Sequence, residues 1–264
     1  NELDLIRRYR EVALHPECDL AIEDIVSEAI VSNENQQSVQ LDLSKIAYSD
    51  SIKKKMRDQP RCSRALALEA SPAFADGVCI VTGASAGIGA ALATACAAHG
   101  CRKLVLSDLH WQSDGSSTAD AHCLVRELRA DSRMEVLALT TDVGDHADIL
   151  AMRDATLDAF GAPHFLFNNA GVGMPGVLSA SDEALRKSLD VNLMSVIHGM
   201  RAFVPSMESL GDDQVCHIVN TASLAGISES TGLYGLTKHA VVSLRSTDRG
   251  APRFEERFLG HLTG

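Results

Sequence analysis

Short apolar runs alternate with longer helical segments from residue 76 to residue 244. The apolar runs lie at 78–82, 104–107, 135–139, 165–167 and 215–219, and the helical segments at 88–99, 124–129, 147–160, 182–207 and 234–244. Runs that are apolar throughout, rather than at every second position, are typical of parallel strands buried on both faces. The alternation therefore predicts an α/β fold, with a doubly wound parallel sheet of five strands in the order 3-2-1-4-5.

The N-terminal region differs in composition and pattern from the segment that follows it, because it is rich in charged side chains and its apolar residues have a helical period. Apolar residues recur there with a helical period, at positions 21, 22, 25, 26, 29 and 30. We expect a separate, small and mainly helical segment at 1–57 and a linker at 58–75. The α/β domain follows at 76–244, and an irregular tail occupies 245–264.

A glycine-rich turn, TGASAGIG at 82–89, joins the first predicted strand to the first predicted helix. Gly83 permits a tight turn, Gly87 lets the backbone approach a pyrophosphate, and Gly89 lets helix and strand pack closely. The start of the helix then offers unpaired N–H groups to phosphates. The residues predicted to contact a dinucleotide here are Gly83, Ser85, Ala86, Gly87, Ile88 and Gly89.

Asp108 ends the second predicted strand. A carboxylate at this place accepts hydrogen bonds from the adenosine ribose hydroxyls and repels a 2′-phosphate. Neither 84–86 nor 109–111 contains an arginine or lysine that could receive such a phosphate. The sequence therefore favours NAD over NADP as the cofactor.

The third and fourth predicted strands are also followed by polar or small residues. Ligands bind at the carboxyl ends of the strands in open α/β sheets. Asp142 and Val143 follow the third strand, where they fit an adenine contact. A turn that could cradle the cofactor follows the fourth strand and contains Asn169, Ala170 and Gly171.

Four further residues have the types and spacing that proton transfer requires. Tyr234 and Lys238 are one helical turn apart and share a face, so the ammonium stabilises the phenolate and makes the tyrosine usable as a general acid or base. Ser223, at the end of the fifth strand, can offer its hydroxyl to a substrate oxygen. Asn192 lies mid-helix in DVNLM, where a polar residue among apolar ones implies a specific role.

The composition argues against several classes of function. The formal net charge of −11 argues against a nucleic-acid partner or an anionic membrane surface, since both need clustered Lys and Arg. No apolar run approaches the ~20 residues that cross a bilayer. The seven cysteines show neither CxxC spacing nor a metal-ligand pattern, so we expect free thiols in the cytoplasm and no metal site.

The motifs TGASAGIG, DV, NNAG and YxxxK, with the helix asparagine and the serine after strand five, occur in the order seen in short-chain dehydrogenases/reductases. Residues 76–244 resemble that family. The resemblance implies a Rossmann fold, a nicotinamide cofactor, and hydride transfer between that cofactor and an alcohol or carbonyl carbon of a small substrate.

The same resemblance implies a role for each candidate side chain. Tyr234 would be the catalytic acid or base, and Lys238 would promote its ionisation and hold the nicotinamide ribose. Ser223 would orient the substrate, and Asn192 would support a water that relays protons.

The resemblance ends near residue 244. Family members continue into a sixth strand, a Pro-Gly turn at the nicotinamide and a segment that covers the substrate, whereas 245–264 shows neither an apolar strand nor a Pro-Gly turn. The interval between Ser223 and Tyr234 is also shorter than is usual in the family. We therefore expect a sheet truncated after strand five, with an open edge that favours association and permits a homo-oligomer.

Residues 1–57 resemble a segment of the portal vertex proteins of contractile-tailed phages. The resemblance rests on YREVALHPECDLAIEDIVSEAIVSNE, followed by VQLDL and SIKKK. It covers a small part of such a protein and lacks the parts that form its ring and channel. A fusion of two partial sequences accounts for both ends of the chain.

Three hypotheses on function stay open at this point. The chain is an NAD-dependent alcohol or carbonyl oxidoreductase that truncation could impair, a dinucleotide-binding protein without catalysis, or a phage structural protein supported only by residues 1–57. Met174, Val177 and Leu178, after the NNAG turn, hint at an apolar wall. For the first hypothesis we therefore expect an apolar small-molecule substrate.

Overall fold

The computed structural model describes residues 72–75, 77–109, 111, 119–173, 176–211, 214–226, 232–244 and 255–258. The N-terminal segment predicted at 1–57 and most of the linker lie outside these residues. The described elements are α1 (Pro72–Ala75), β1 (Val78–Thr82), α2 (Gly87–Ala98), β2 (Lys103–Asp108), α3 (Ala119–Ala130), β3 (Glu135–Thr140), α4 (His146–Phe160), β4 (Phe165–Asn168), α5 (Asp182–Leu189), a π-helical turn (Asp190–Met194), α6 (Ser195–Glu208), β5 (His217–Asn220), a 3₁₀ turn (Leu224–Gly226), α7 (Gly232–Ser243) and β6 (Glu255–Phe258).

All the described strands are parallel and form one sheet in the order β3-β2-β1-β4-β5-β6. The predicted order of the first five strands is confirmed. Strands β1, β4 and β5 are buried along their whole length. Burial on both faces explains why their sequences are apolar throughout instead of alternating.

Helices cover both faces of the sheet. On one face, Leu92 of α2 packs in the same core as Val81. On the other face, Ile149 of α4 and Phe203 of α6 pack in the same core as Ile80. Because the strands are parallel, all their carboxyl ends meet at a single edge between these layers.

The sheet continues past the fifth strand. β6 pairs in parallel with β5, from Glu255 opposite His217 to Phe258 opposite Asn220. The expectations of an irregular tail over 245–264 and of an open edge at β5 are corrected at residues 255–258. The strand has only the four residues EERF, which is too short and too polar a segment to produce the apolar run that marked the other strands.

Contacts with the core of the α/β domain begin before residue 76. In α1, at the end of the predicted linker, the Phe74 ring is fully buried and stacks on Phe165 with 4.1 Å between ring centroids. The N–H of Gly77 donates to the carbonyl oxygen of Phe74. Residues 72–75 of the predicted linker therefore pack against the sheet, and a single aromatic residue in a four-residue helix gives no periodicity that predicts this packing.

Candidate active site

The glycine turn between β1 and α2 has the geometry that its sequence predicts. Gly83 and Gly87 have φ values of 67° and 57°, in the left-handed region that favours glycine. A Cβ on Gly83 would lie 2.9 Å from Ala170 Cα, and a Cβ on Gly89 would collide with the carbonyl oxygen of Gly83. The turn is therefore pressed against the NNAG segment and leaves no room for side chains at these positions.

The start of α2 differs from the starts of α4 and α5. The N-cap residues of α4 and α5, Asp145 and Ser181, accept hydrogen bonds from N–H groups of their own first turns. The N-cap of α2 is Ala86, which makes no such bond. The N-cap side chain of α2 therefore leaves the first N–H groups of this helix available, which is compatible with a phosphate at the helix start.

Asp108 lies beside the glycine turn, at the end of β2. Its Oδ2 accepts a hydrogen bond from the N–H of Ser85 at 3.0 Å. Next to it, the N–H of Ala84 donates to the carbonyl oxygen of Ser107 at 3.1 Å. The carboxylate thus connects the end of β2 to the glycine turn by a hydrogen bond. This strand end is the position at which the sequence predicts a ribose contact.

Asp142 and Val143 form a tight bend after β3. Asp142 Oδ1 accepts from the N–H of Gly144 at 2.9 Å, and the N–H of Asp142 donates to Asp148 Oδ2 at 2.8 Å. Val143 is buried. The bend holds these residues at the same carboxyl edge as the glycine turn.

Asn169 connects the NNAG segment to β1. Its main-chain N–H and that of Ala170 both donate to Thr82 Oγ1, at 2.9 and 3.0 Å. Its Nδ2 donates to the carbonyl oxygens of Thr82 at 3.0 Å and of Gly83 at 3.5 Å. The NNAG turn and the glycine turn therefore form one hydrogen-bonded unit.

Lys238 is almost completely buried, with 3% of its surface exposed. Its Nζ donates to the carbonyl oxygen of Thr221 at 2.7 Å and lies 5.8 Å from the centroid of the Tyr234 ring. Burial lowers the pKa of Lys238 from 10.5 to about 8, because desolvation disfavours the charged amine. Tyr234 and Lys238 thus lie next to each other on α7, as their spacing in the sequence predicts.

Asn192 lies in the π-helical turn between α5 and α6 and is fully buried. Its Oδ1 accepts from the N–H of Val172 at 2.8 Å, and its Nδ2 donates to the carbonyl oxygen of Val172 at 2.9 Å. The same Nδ2 lies 3.4 Å from Thr237 Oγ1, which donates to the carbonyl oxygen of Tyr234 at 2.7 Å. Asn192 therefore links the segment after NNAG to the helix that carries Tyr234.

Ser223 is buried in the short segment between the end of β5 and the 3₁₀ turn. Its Oγ accepts a hydrogen bond from the N–H of Ala225 at 3.1 Å. Ser223 is two residues from Thr221, whose carbonyl holds Lys238. The carboxyl end of β5 thus brings Ser223 and the lysine contact into one short segment.

Sequence reasoning missed the hydroxyl and main-chain groups that connect the motifs. Thr82, Thr221 and Thr237 donate or accept the hydrogen bonds between the motif residues, and Val172 holds Asn192 with its main chain. Thr82 and Thr237 lie inside quoted motifs but at positions to which no role was assigned, and a threonine has no distinctive spacing of its own. The signal that could have identified Thr221 was its place at a strand end, two residues before a candidate site serine.

No described helix is both long and apolar enough to cross a bilayer. Within the same parts of the chain, no group of three His, Cys, Asp or Glu side chains could hold a metal ion.

Two curated proteins that resemble the chain are a reductase and a dehydrogenase. The levodione reductase of Leifsonia aquatica is 34% identical over 173 residues, which are 65% of this chain and 62% of that protein. The 1-deoxy-11-beta-hydroxypentalenate dehydrogenase of Streptomyces avermitilis is 34% identical over 183 residues, which are 66% of this chain and 63% of that protein. The chain thus spans less than two thirds of the length of these relatives.

Two solved structures with bound cofactors have the same fold. A short chain dehydrogenase/reductase from Burkholderia phymatum in complex with NAD is 41% identical, with a TM-score of 0.57 over 65% of this chain and 58% of that one. A metagenomic short-chain oxidoreductase in complex with NADP is 27% identical, with a TM-score of 0.61 over 70% of this chain and 82% of that one.

Two family models match separate parts of the chain. Residues 2–61 match the Bacteriophage T4-like portal protein (Gp20), which confirms the predicted resemblance of the N-terminal region. Residues 77–249 match the short chain dehydrogenase model. This second match covers more than half of the chain and includes the site described above, and the chain belongs to the short chain dehydrogenase family.

Proposed function

We propose that the α/β domain is a nicotinamide-dependent oxidoreductase that interconverts an alcohol and a carbonyl compound. The observation that carries the proposal is Lys238. A lysine that is nearly fully buried, hydrogen-bonded to a strand-end carbonyl and close to a tyrosine ring has no evident packing role, because burial of an ammonium is costly. Perturbed ionisable groups at the carboxyl edge of an α/β sheet are typical of active sites.

The adenosine half of the site fits a dinucleotide. The glycine turn and the uncapped start of α2 provide main-chain N–H groups for a pyrophosphate. We infer that Asp108 accepts hydrogen bonds from the ribose hydroxyls and repels a 2′-phosphate, so that NAD is preferred over NADP. Asp142 and Val143 would contact the adenine, and Asn169, Ala170 and Gly171 would line the turn toward the nicotinamide.

The reaction needs a proton donor and acceptor as well as the hydride that the bound nicotinamide supplies or accepts. In the proposal, Tyr234 gives the proton to a carbonyl oxygen, or takes it from an alcohol, because its phenol lies next to a cation. Lys238 stabilises the phenolate and binds the nicotinamide ribose. Ser223 donates a hydrogen bond to the substrate oxygen. Asn192 links the segment after NNAG to the helix that carries Tyr234, and in this way supports a water that relays protons.

The substrate is proposed to be small and apolar. Support comes from Val177 and Leu178, which follow the NNAG turn and expose about half and all of their surfaces. The names of the relatives, a reductase and a dehydrogenase, agree with alcohol–carbonyl chemistry.

The described cysteines are free, which supports a reducing compartment such as the cytoplasm. We also propose a homo-oligomer. Because β6 covers the edge of β5, that edge no longer supports association, and the support that remains is the exposed apolar side chain of Leu236 on α7.

The first experiment measures binding of NADH and NADPH to the full chain by calorimetry. NADH should bind more tightly. In Asp108→Asn, which keeps the shape of the side chain but removes its charge, NADPH affinity should rise about tenfold or more, since juxtaposed like charges cost several kcal/mol. Glu208→Gln, an exposed carboxylate at the end of α6, is the matched control. Tighter binding of NADPH by the wild type contradicts the NAD preference.

Turnover distinguishes an enzyme from a protein that only binds dinucleotides. A panel of apolar secondary alcohols with NAD, and of ketones with NADH, should give a measurable rate. Cofactor binding without any turnover would leave the non-catalytic hypothesis in place. Absence of binding to both cofactors would reject the proposed function as a whole.

A further inference from the structure

Thr221 lies between two parts of the site that the proposed function assigns to different parts of a dinucleotide. One part is the glycine turn after β1, with the NNAG turn bonded to it. The other part is Lys238 on α7. Thr221 follows β5, is 7% exposed, and makes a hydrogen bond toward each of them.

The first link is made by the main chain of Thr221. Its carbonyl oxygen accepts a hydrogen bond from Lys238 Nζ at 2.7 Å. A desolvated amine needs a protein acceptor, because an unsatisfied polar group inside a protein is costly. The position of this carbonyl therefore determines where Lys238 Nζ lies.

The second link is made by the side chain of Thr221. Its hydroxyl donates to Asn169 Oδ1 at 3.2 Å. On the opposite side of the same amide, Nδ2 donates to the carbonyl oxygens of Thr82 and Gly83. A carbonyl oxygen cannot donate, so the amide must face the glycine turn with its nitrogen, and its oxygen is left for the hydroxyl of Thr221.

These bonds form one continuous chain across the ends of three strands. It runs from the carbonyl oxygens after β1, through the amide after β4 and the hydroxyl after β5, to the amine on α7. The N–H of Thr221 also donates to the carbonyl oxygen of Asn168 at 3.0 Å. Removal of the Thr221 hydroxyl breaks the chain at its centre and leaves the Thr221 carbonyl held by the main-chain hydrogen bond alone.

We propose that Thr221 is a positioning residue for the cofactor, which ties the glycine turn to Lys238 through its hydroxyl and its carbonyl. The inference rests on the proposed function, since it takes the ribose next to the nicotinamide as the partner of Lys238. Binding of the pyrophosphate at one end and of this ribose at the other end is then interdependent.

The test compares NADH affinity of the full chain with three variants. Thr221→Val keeps the shape and removes the hydroxyl, and should weaken binding about 3- to 10-fold, the effect of one hydrogen bond. Thr221→Ser keeps the hydroxyl and should bind like the wild type. The control is Thr156→Val, which removes a buried hydroxyl that donates to Met152 within α4, and it should leave the affinity unchanged. Wild-type affinity in Thr221→Val overturns the proposal.

A double-mutant cycle shows whether Thr221 acts through Lys238. In the Lys238→Met background, Thr221→Val should cause a clearly smaller loss of NADH affinity than it causes in the wild type, because the group that it positions is already absent. A residue with only a structural role would cause the same loss in both backgrounds. Equal losses therefore overturn the proposal.

One measurement does not depend on cofactor binding. The ¹³Cε NMR signal of Lys238, assigned by its absence in Lys238→Met, reports the titration of this amine in the protein without cofactor. Thr221→Val should move the titration midpoint, and an unchanged midpoint overturns the link.

If the wild type binds neither NADH nor NADPH, the proposed function fails and this midpoint alone decides the link. If Thr221→Val does not fold, Thr221→Ala replaces it, and equal effects of Ala and Ser overturn the role of the hydroxyl.

Discussion

At the residue scale, two side chains on one turn of α7 have the proposed roles in proton transfer. Tyr234 and Lys238 differ in burial, since the phenol is half-buried and the amine is nearly inaccessible. A proton donor must reach its substrate, whereas a cation that stabilises a phenolate works best where water is excluded. The arrangement therefore gives each of the two groups the solvent exposure that its proposed role requires.

Tyr234→Phe should abolish most of the turnover and leave NADH binding within about twofold. Phe keeps the ring next to Lys238 Nζ but removes the hydroxyl, and general acid–base assistance is worth about 10²- to 10⁴-fold. The rate should be measured with saturating cofactor on the best substrate from the alcohol and ketone panel. A variant that keeps more than a tenth of the wild-type rate contradicts the role of the phenol.

Lys238 makes a prediction about stability and pH. Its folded-state pKa of about 8 lies below its ordinary value of 10.5, so between these values the unfolded chain binds a proton that the folded protein has released. This group therefore makes the folded state more stable as the pH rises from 8 toward 10.5, by at most about 1.4 kcal/mol per pH unit.

The measurement compares denaturant unfolding of the wild type and of Lys238→Met from pH 7 to pH 9.5. The difference between the two free energies of unfolding should change in favour of the wild type as the pH rises. The comparison with Met cancels the contributions of other groups, such as the Cys216 thiol, whose pKa burial raises to about 11. A difference that does not vary with pH would show that Lys238 is not desolvated.

At the scale of the element, the sequence predicted those parts of the fold that are dictated by local pattern. Strands β1, β4 and β5 are buried on both faces, and their apolar runs allowed them to be predicted from the sequence. Asn192 was visible because it interrupts the apolar pattern of a helix, although nothing indicated that this interruption is a π-helical turn. The site motifs were predicted because glycine positions and helical spacing constrain them locally.

The elements that the sequence did not predict are stabilised by contacts with distant parts of the chain. β6 is a strand because it pairs with β5, and its four residues have no local preference that marks them. The role proposed for Thr221 likewise depends on its hydrogen bond to Asn169, which is 52 residues away in sequence. Neither contact leaves a periodic signal, since both depend on which segments the fold brings together.

β6 should protect the edge of the sheet. Removal of residues 254–264 exposes the unpaired N–H and C=O groups of β5, and exposed edges pair with other chains. We expect this truncation to lower Tm and to increase light scattering on incubation at 37 °C. The matched control is a chain that ends at residue 258, which retains β6 and should behave like the full chain. Equal behaviour of the two truncations would show that β6 has no protective role.

At the scale of the whole molecule, the chain combines two stretches that match different families. Residues 2–61 match a phage portal model and residues 77–249 a dehydrogenase model, so the two matches do not overlap. The described part of the second stretch has its own two-sided core. We therefore expect residues 1–71 to be dispensable for folding of the α/β domain and for NADH binding.

The boundary between the two stretches should lie before α1. Phe74 is fully buried and stacks on Phe165, so a chain that begins at residue 72 should unfold with the same free energy as the full chain in the cooperative transition of the α/β domain. A chain that begins at residue 77, or Phe74→Ala in the full chain, should lose about 3–5 kcal/mol, the usual cost of removing a buried phenylalanine ring. Leu178→Ala, at a fully exposed position, is the control and should leave the free energy of unfolding unchanged. Equal stability of the chains that begin at 72 and at 77 would place α1 outside the domain and support residue 76 as its start.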